Sequence, residues 1–131
     1  MEFIEYLKLN NAQKKIDEHA KIYANKKIVI YGVDEFSKTI FENYDLSKLN
    51  IVAIADPKFK DKENKNFFNF NCVAPDELKT MDFDVILIAN FNYSSSLTHL
   101  DDNILYETKN QAVPIRELIR LTFDDIFAKK R

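Results

Sequence analysis

The stretch KKIVIYGVDEFS, residues 26–37, decides the fold of this chain. Ile28 to Tyr31 form a continuous apolar run, rich in β-branched residues, that ends at Gly32, the only glycine in the sequence. A run of this kind, closed by a turn residue, is typical of a parallel strand covered on both faces. Asp34 follows as a candidate N-cap for a helix over residues 35–44, where apolar residues recur at helical spacing. The stretch therefore predicts a strand, a turn and a helix.

The rest of the chain repeats this alternation of strand and helix patterns. Strands are predicted at residues 50–55, 72–73 and 85–89, with a weaker one at 104–106; helices are predicted at residues 3–24 (broken near Asn10 and Asn11), 75–78, 94–101 and 115–127. Such alternation indicates a parallel sheet with crossover helices. We expect one small α/β domain of Rossmann-like type, a parallel sheet flanked by helices. Residues 1–25 form its N-terminal helical segment, and residues 26–131 form its α/β core.

Composition agrees with one globular domain and argues against several classes of protein. The 131 residues are 46% apolar and 31% charged, as in ordinary folded domains. The net charge of −2 gives no sign of a nucleic-acid partner. No apolar run approaches the roughly 20 residues of a membrane-spanning helix, and the N-terminus lacks a signal-peptide pattern. We therefore expect a cytoplasmic protein without a membrane partner. Cys72 is the only cysteine, which excludes an intrachain disulfide, and we interpret it as a buried strand thiol.

Candidate binding residues follow three of the predicted strands. In open α/β sheets, ligands bind beyond the carboxyl ends of the strands, where the strand order reverses. The residues expected at this edge are Gly32, Val33, Asp34, Asp56, Asn90 and Asn92. Asp56 ends the second strand 24 residues after Gly32, where an acidic residue often hydrogen-bonds a ribose hydroxyl. Asp56-Pro57 equally fits a plain turn, so both interpretations of Asp56 stay open.

The turn at Gly32 departs from the dinucleotide-binding pattern G-x-G-x-x-G. Here the six positions are GVDEFS, so Asp34 and Ser37 stand where the second and third glycines belong. Asp34 places a side chain where the backbone should approach phosphate. With Glu35 it also adds negative charge at a helix N-terminus that would otherwise attract an anion. The turn therefore supports the architecture and argues against conventional NAD binding.

Other motifs in the chain do not define a catalytic or metal site. His19 and His99 lie far apart without nearby cysteines, and we interpret both as ordinary helix residues. Residues 94–96 are three serines, which fit helix capping better than phosphate binding. A response-regulator receiver is the strongest rival fold, but Asn90 stands where its phosphoacceptor aspartate would be needed. No acid, base or nucleophile constellation stands out, so the sequence leaves open whether the protein is an enzyme.

Two stretches resemble a known group of domains. They are KKIVIYGVDEFSKTIFENYDLSKLNIVAIADPKF (residues 26–59) and NCVAPDELKTMDFDVILIANF (residues 71–91). They resemble Rossmann-like domains of bacterial surface-glycan biosynthesis proteins, including the N-terminal domains of sugar-nucleotide dehydratases and of hexapeptide-repeat sugar acyltransferases. The resemblance covers residues 26–92 and implies a role in surface-glycan biosynthesis. It also implies a nucleotide or nucleotide-sugar ligand, with NAD(P) and nucleotide-sugars as candidates, and an enzyme of that pathway as a partner.

Two functional hypotheses follow from the sequence. The leading one is a Rossmann-like module, not catalytic alone, that binds a nucleotide or nucleotide-sugar at the edge formed by Gly32, Asp56 and Asn90. The alternative is a degenerate Rossmann-like module that serves protein association, for example as a homo-oligomer, without a nucleotide ligand. The missing glycines, the added carboxylates and the amphipathic termini motivate the alternative. The identity of any ligand stays open.

Overall fold

One sheet of six strands organises the domain, and the computed structural model describes residues 2–60 and 66–120 of it. The helices are Phe3–Leu9 (α1), Ala12–Ile22 (α2), Glu35–Asn43 (α3) and Tyr93–His99 (α4). The strands are Ile28–Tyr31 (β1), Ile51–Ala55 (β2), Asn66–Phe67 (β3), Phe70–Val73 (β4), Val85–Ile88 (β5) and Ile115–Glu117 (β6). Short 3₁₀ turns at Pro57–Phe59 and Pro75–Lys79 and a π-helical turn at Leu100–Ile104 complete the described elements.

The strand order is β3-β4-β2-β1-β5-β6, and all neighbours except β3 and β4 run parallel. Counting only the five parallel strands in chain order gives 3-2-1-4-5, the order of a Rossmann-type sheet. The predicted Rossmann-like α/β fold is therefore confirmed. No helix within residues 2–60 and 66–120 is both long and apolar enough to cross a membrane.

The sheet separates two hydrophobic clusters. In β1, Ile28 and Ile30 face the cluster that contains Leu7 and Ile16 of the N-terminal helices. Val29 and Tyr31 face the opposite cluster. All four β1 residues are buried, because helices cover both faces of a parallel sheet, and this burial explains the continuous apolar run in the sequence.

The N-terminal segment is two helices, with the predicted break at Asn10 and Asn11. Asn11 adopts a left-handed backbone with φ of 53°, a conformation that asparagine tolerates better than most residues. The buried side chain of Asn10 donates through Nδ2 to the Tyr6 carbonyl at 2.8 Å. The two asparagines therefore end α1 and redirect the chain into α2.

Two predictions near the C-terminus are wrong. Residues 104–106 are not a strand, because Ile104 ends the π-helical turn that continues α4. The fifth parallel strand lies instead at Ile115–Glu117, where a helix was expected to begin. Pairing with β5 decides this segment: Ile86 N–H donates to the Pro114 carbonyl at 3.0 Å, and Leu118 N–H donates to the Ile88 carbonyl at 2.9 Å. The rest of the predicted helix, residues 121–127, lies outside the described residues.

His19 ties α2 to the end of β6. Its Nε2 lies 3.1 Å from the Glu117 carbonyl and 3.0 Å from the Leu118 carbonyl. Because carbonyl oxygens only accept, Nε2 must carry a proton and donate it. Nδ1 is buried without a hydrogen-bond partner in the described part of the chain. Burial lowers the pKa of His19 below its usual value, and the two carbonyl bonds oppose that shift.

This geometry predicts a loss of stability in mild acid. Protonation of His19 would place an unpaired N–H at the buried Nδ1. A lowered pKa in the folded state contributes stability above the unfolded value of 6.5, and that stability is lost as pH falls through the lower folded value. We expect the free energy of unfolding, measured in urea at successive pH values, to fall less below pH 6.5 in His19→Gln than in the wild type.

The matched control is His99→Gln, which replaces the second histidine of the sequence and leaves the two bonds from His19 to the carbonyls of Glu117 and Leu118 in place. Equal pH dependence in the wild type and in His19→Gln would show that protonation of His19 costs the fold nothing.

Candidate functional site

The candidate site lies where the strand order reverses, between the carboxyl ends of β1 and β5. Ligands of open α/β sheets bind at such a point. The turn after β1 carries Gly32, Val33 and Asp34, and the segment after β5 carries Asn90 and Asn92. We call the space between these two segments the β1–β5 crevice. The structure brings all of these residues except Asn92 into direct contacts around it, together with Asp56 from the end of β2.

Gly32 and Asn90 are packed against each other. Gly32 has φ of 109°, a conformation that essentially only glycine adopts, and its N–H donates to the Ala55 carbonyl at 2.8 Å. A Cβ atom at Gly32 would lie 2.2 Å from Asn90 Oδ1 and 2.3 Å from Asn90 Cγ. The amide of Asn90 therefore fills the space that the missing side chain leaves. Its Nδ2 donates to Ser96 Oγ at 3.0 Å, and its Oδ1 is buried without a hydrogen-bond partner in the described residues.

Asp34 caps α3 and also holds the segment after β5. Its Oδ1 accepts from Ser37 N–H at 2.9 Å, and Ser37 Oγ accepts from Asp34 N–H at 2.8 Å, which completes a capping box. Its Oδ2 accepts from Phe91 N–H at 3.0 Å. A helix start binds phosphate through free backbone N–H groups. Here the Asp34 carboxylate already accepts from the Ser37 N–H.

Asp56 is buried, and backbone N–H groups donate to both of its carboxyl oxygens. Oδ2 accepts from Val33 N–H at 2.6 Å, and Oδ1 accepts from Lys58 N–H at 2.9 Å. Asp56 therefore caps the 3₁₀ turn at Pro57–Phe59 and fixes the β1 turn. Lys58 Nζ donates back to the Val33 carbonyl at 2.5 Å. These contacts favour the turn interpretation of Asp56 over a ribose contact.

Two further side chains, those of Asn92 and Tyr31, lie near the edge. Asn92 Oδ1 accepts from Ser95 N–H at 3.3 Å, so this side chain caps α4. Burial, and to a smaller extent the charge of Asp56, raises the pKa of Tyr31 to about 12, so its phenol stays protonated. Within residues 2–60 and 66–120, no group of three or more His, Cys, Asp or Glu side chains could hold a metal ion.

An aromatic cluster covers the outside of the crevice. The ring of Phe91 lies 5.3 Å from Phe3 and 5.4 Å from Tyr6, both on α1, and 5.2 Å from Phe36 on α3. The contacts of Phe91 could not be predicted, because a single phenylalanine after a strand gives no local signal of what it contacts. The spacing of Phe3 and Tyr6 on one helix face was the only available hint.

The strand order and the turn after β1 define a Rossmann-like α/β domain in which the Asn90 side chain packs against Gly32. Residues 24–111, about two thirds of the 131-residue chain, match the family described as C2185-like, N-terminal, and the chain belongs to that family. The matched region contains β1 to β5, whereas α1, α2 and β6 lie outside it. Neither the curated proteins nor the solved structures compared with the chain gave a match. The resemblance to sugar-nucleotide dehydratase and acyltransferase domains stays a prediction.

The contact between Gly32 and Asn90 predicts strong energetic coupling. Gly32→Ala should lower the free energy of unfolding by about 2–6 kcal/mol, because backbone strain and the clash with Asn90 each cost about 1–3 kcal/mol. Asn90→Ala in the same chain should remove the clash and leave the strain. A double-mutant cycle measured by urea unfolding should therefore give a favourable coupling of about 1–3 kcal/mol. Additive effects of the two substitutions would show that Asn90 does not restrict the space at Gly32.

Proposed function

We propose that this domain serves protein association and that its β1–β5 crevice is closed to nucleotides. The observation that carries the proposal is the internal pairing of Asp34, Asp56 and Asn90. A pyrophosphate in this crevice would have to displace the Asp34 carboxylate from the N–H groups of Ser37 and Phe91. Hydrogen bonds to a charged group contribute about 1.5–3 kcal/mol each, so displacement opposes binding. The remaining carboxylates would also repel the phosphate charge.

An aromatic cluster at one edge of the sheet supports association as the function. It consists of Phe41 on α3 and of Phe67, Phe68 and Phe70 in the β3–β4 hairpin, and we call it the aromatic edge. Phe67 is buried, whereas Phe68 is exposed. The ring of Phe68 lies 4.7 Å from Phe67 and 5.6 Å from Phe41, yet the residue is 44% exposed. Aromatic rings that are half covered in a free protein are common anchors of protein interfaces.

The backbone at Phe68 strengthens this argument. Phe68 and Asn69 have φ of 50° and 66°, as in the two-residue hairpin turns that favour Asn, Asp or Gly at both positions. Holding a bulky residue in the left-handed region costs about 1–2 kcal/mol. Strained positions of this kind occur where function requires a particular side chain. A partner that covers the ring would account for phenylalanine at this position.

The partner that we propose is a second copy of the chain. Within the described residues, β3 lies at the edge of the sheet and no strand pairs with its outer side. An unpaired edge strand offers N–H and C=O groups to another strand. A two-fold axis beside β3 would let the same edge of both copies pair, and self-complementary contacts are the commonest route to dimers.

The decisive variant is Phe68→Gly, which removes the ring and relieves the backbone strain at once. We expect the wild type to dimerise at micromolar concentration in sedimentation experiments and Phe68→Gly to be a monomer. Because strain relief offsets the lost ring contacts, its free energy of unfolding per monomer should change by less than about 1 kcal/mol. Tyr106→Ser is the matched control, since Tyr106 is also an exposed aromatic residue and should leave the dimer intact. A monomeric wild type, or a dimer that survives Phe68→Gly, contradicts the proposal.

The closed-crevice proposal and the nucleotide hypothesis predict opposite results in a thermal-shift experiment. With a closed crevice, NAD, NADP and UDP-sugars at about 1 mM should leave the melting temperature of the wild type unchanged. A ligand present at 100 times its dissociation constant would instead stabilise the fold by about 2.7 kcal/mol, a shift of several degrees for a domain of this size. Such a shift, abolished by Asn90→Leu, would restore the crevice as a nucleotide site.

A further inference from the structure

A cavity of about 630 Å³ lies away from the β1–β5 crevice, between α2, the start of α4 and the end of β6. Its walls include Ile22 on α2, Tyr93 at the start of α4, and Arg116, Glu117 and Leu118 around the end of β6. The two hydrogen bonds of His19 to the carbonyls of Glu117 and Leu118 hold the α2 wall against the β6 wall. The volume lies within the range of about 300–1,000 Å³ that is usual for small-molecule sites.

The charged groups of the cavity favour an anion. Three cationic side chains line it (Lys15, Arg116 and Arg120), together with two carboxylates (Glu18 and Glu117). Lys15 Nζ already donates to the carbonyl of Arg120, so the two arginines are the groups considered for a ligand. Arg116 is exposed, and the one hydrogen bond that its side chain makes within the described chain runs from Nη1 to the carbonyl of Ile115 at 2.9 Å. A guanidinium carries several N–H donors in a planar fork, so most donors of Arg116 remain available to a ligand.

The cavity also offers an apolar surface beside these donors. Ile22 is 69% exposed, which is unusual for a large aliphatic side chain, and it lies on the same cavity wall as His19. Tyr93 and Leu118 add aromatic and aliphatic surface. Small-molecule sites typically combine an apolar lining with a few polar groups that orient the ligand.

We propose that this cavity binds a small organic acid, a molecule with a phosphate or carboxylate group on an apolar body. Arg116 and Arg120 take the oxyanion, because the guanidinium fork matches the two oxygens of a phosphate or carboxylate. Ile22 and Tyr93 contact the apolar body. The site uses neither the β1–β5 crevice nor the aromatic edge, so it is independent of the association that we propose.

The test is a titration of the full chain, followed by NMR, with phenyl phosphate, benzoate, benzyl alcohol and inorganic phosphate. We expect at least one of the two aromatic anions to bind and to shift the amide signals of Tyr93 and of residues 116–118. The neutral alcohol and inorganic phosphate should each bind at least about tenfold more weakly, because each lacks one half of the recognised chemistry. Whichever aromatic anion binds more tightly identifies the ligand as a phosphate ester or a carboxylic acid.

Variants test whether anion binding depends on the cavity arginines or on surface charge in general. Arg116→Gln and Arg120→Gln should each weaken the binding of the preferred anion by about tenfold or more, the effect of losing a charged hydrogen bond. Lys48→Gln, at an exposed lysine that does not line the cavity, should leave binding unchanged. Each variant is first shown to keep the melting temperature of the wild type. The proposal would be overturned if benzyl alcohol or inorganic phosphate bound as tightly as the aromatic anions. It would also be overturned if neither aromatic anion bound at a 10-fold molar excess or at any higher concentration up to about 10 mM.

Discussion

The backbone of Gly32 is the point on which the carboxyl edge of the sheet depends. Its φ of 109° turns the chain out of β1, and its N–H bonds the end of β2. Because Gly32 has no side chain, Asn90 at the end of β5 can pack directly on it. Three strands are thereby joined at one residue. Gly32 keeps the role of the first glycine of a Rossmann turn, the tight turn itself, and the space beside it is occupied by the Asn90 side chain.

Two carboxylates complete this edge, and each accepts from two backbone N–H groups. Asp34 bonds Ser37 and Phe91, and Asp56 bonds Val33 and Lys58. Buried or partly buried carboxylates are tolerated when hydrogen bonds replace their hydration, and these bonds also fix the turn. The N–H of Ser37 belongs to the helix start that a phosphate would use. Stabilisation of the fold and binding of a nucleotide therefore compete for the same donors.

The parts of the fold that the sequence predicts are those with a local signal. The apolar runs of β1 and β5 and the cap at Asp34 are legible because burial on both faces and helix capping each select particular residue types. Ile115–Glu117 has no such signal, since three residues fit a helix turn as well as a strand, and only pairing with β5 decides between them. At the candidate site, too, some features follow from local sequence signals and others depend on packing. Proximity of Gly32 and Asn90 follows from the sheet, but the direction of the Asn90 side chain depends on the surrounding packing.

The family match covers only part of the chain, so the matched region and the segments that flank it contribute different features to the domain. The turn at Gly32 and the side chains that fill the crevice lie within residues 24–111. Phe3 and Tyr6, which contact Phe91, lie outside that region, and so do nearly all residues of the cavity between α2 and β6. The matched region therefore supplies strands β1 to β5 and the hydrogen-bonded side chains at their carboxyl edge. The flanking segments add the aromatic contacts to Phe91 and most of the wall of a cavity that lies away from that edge.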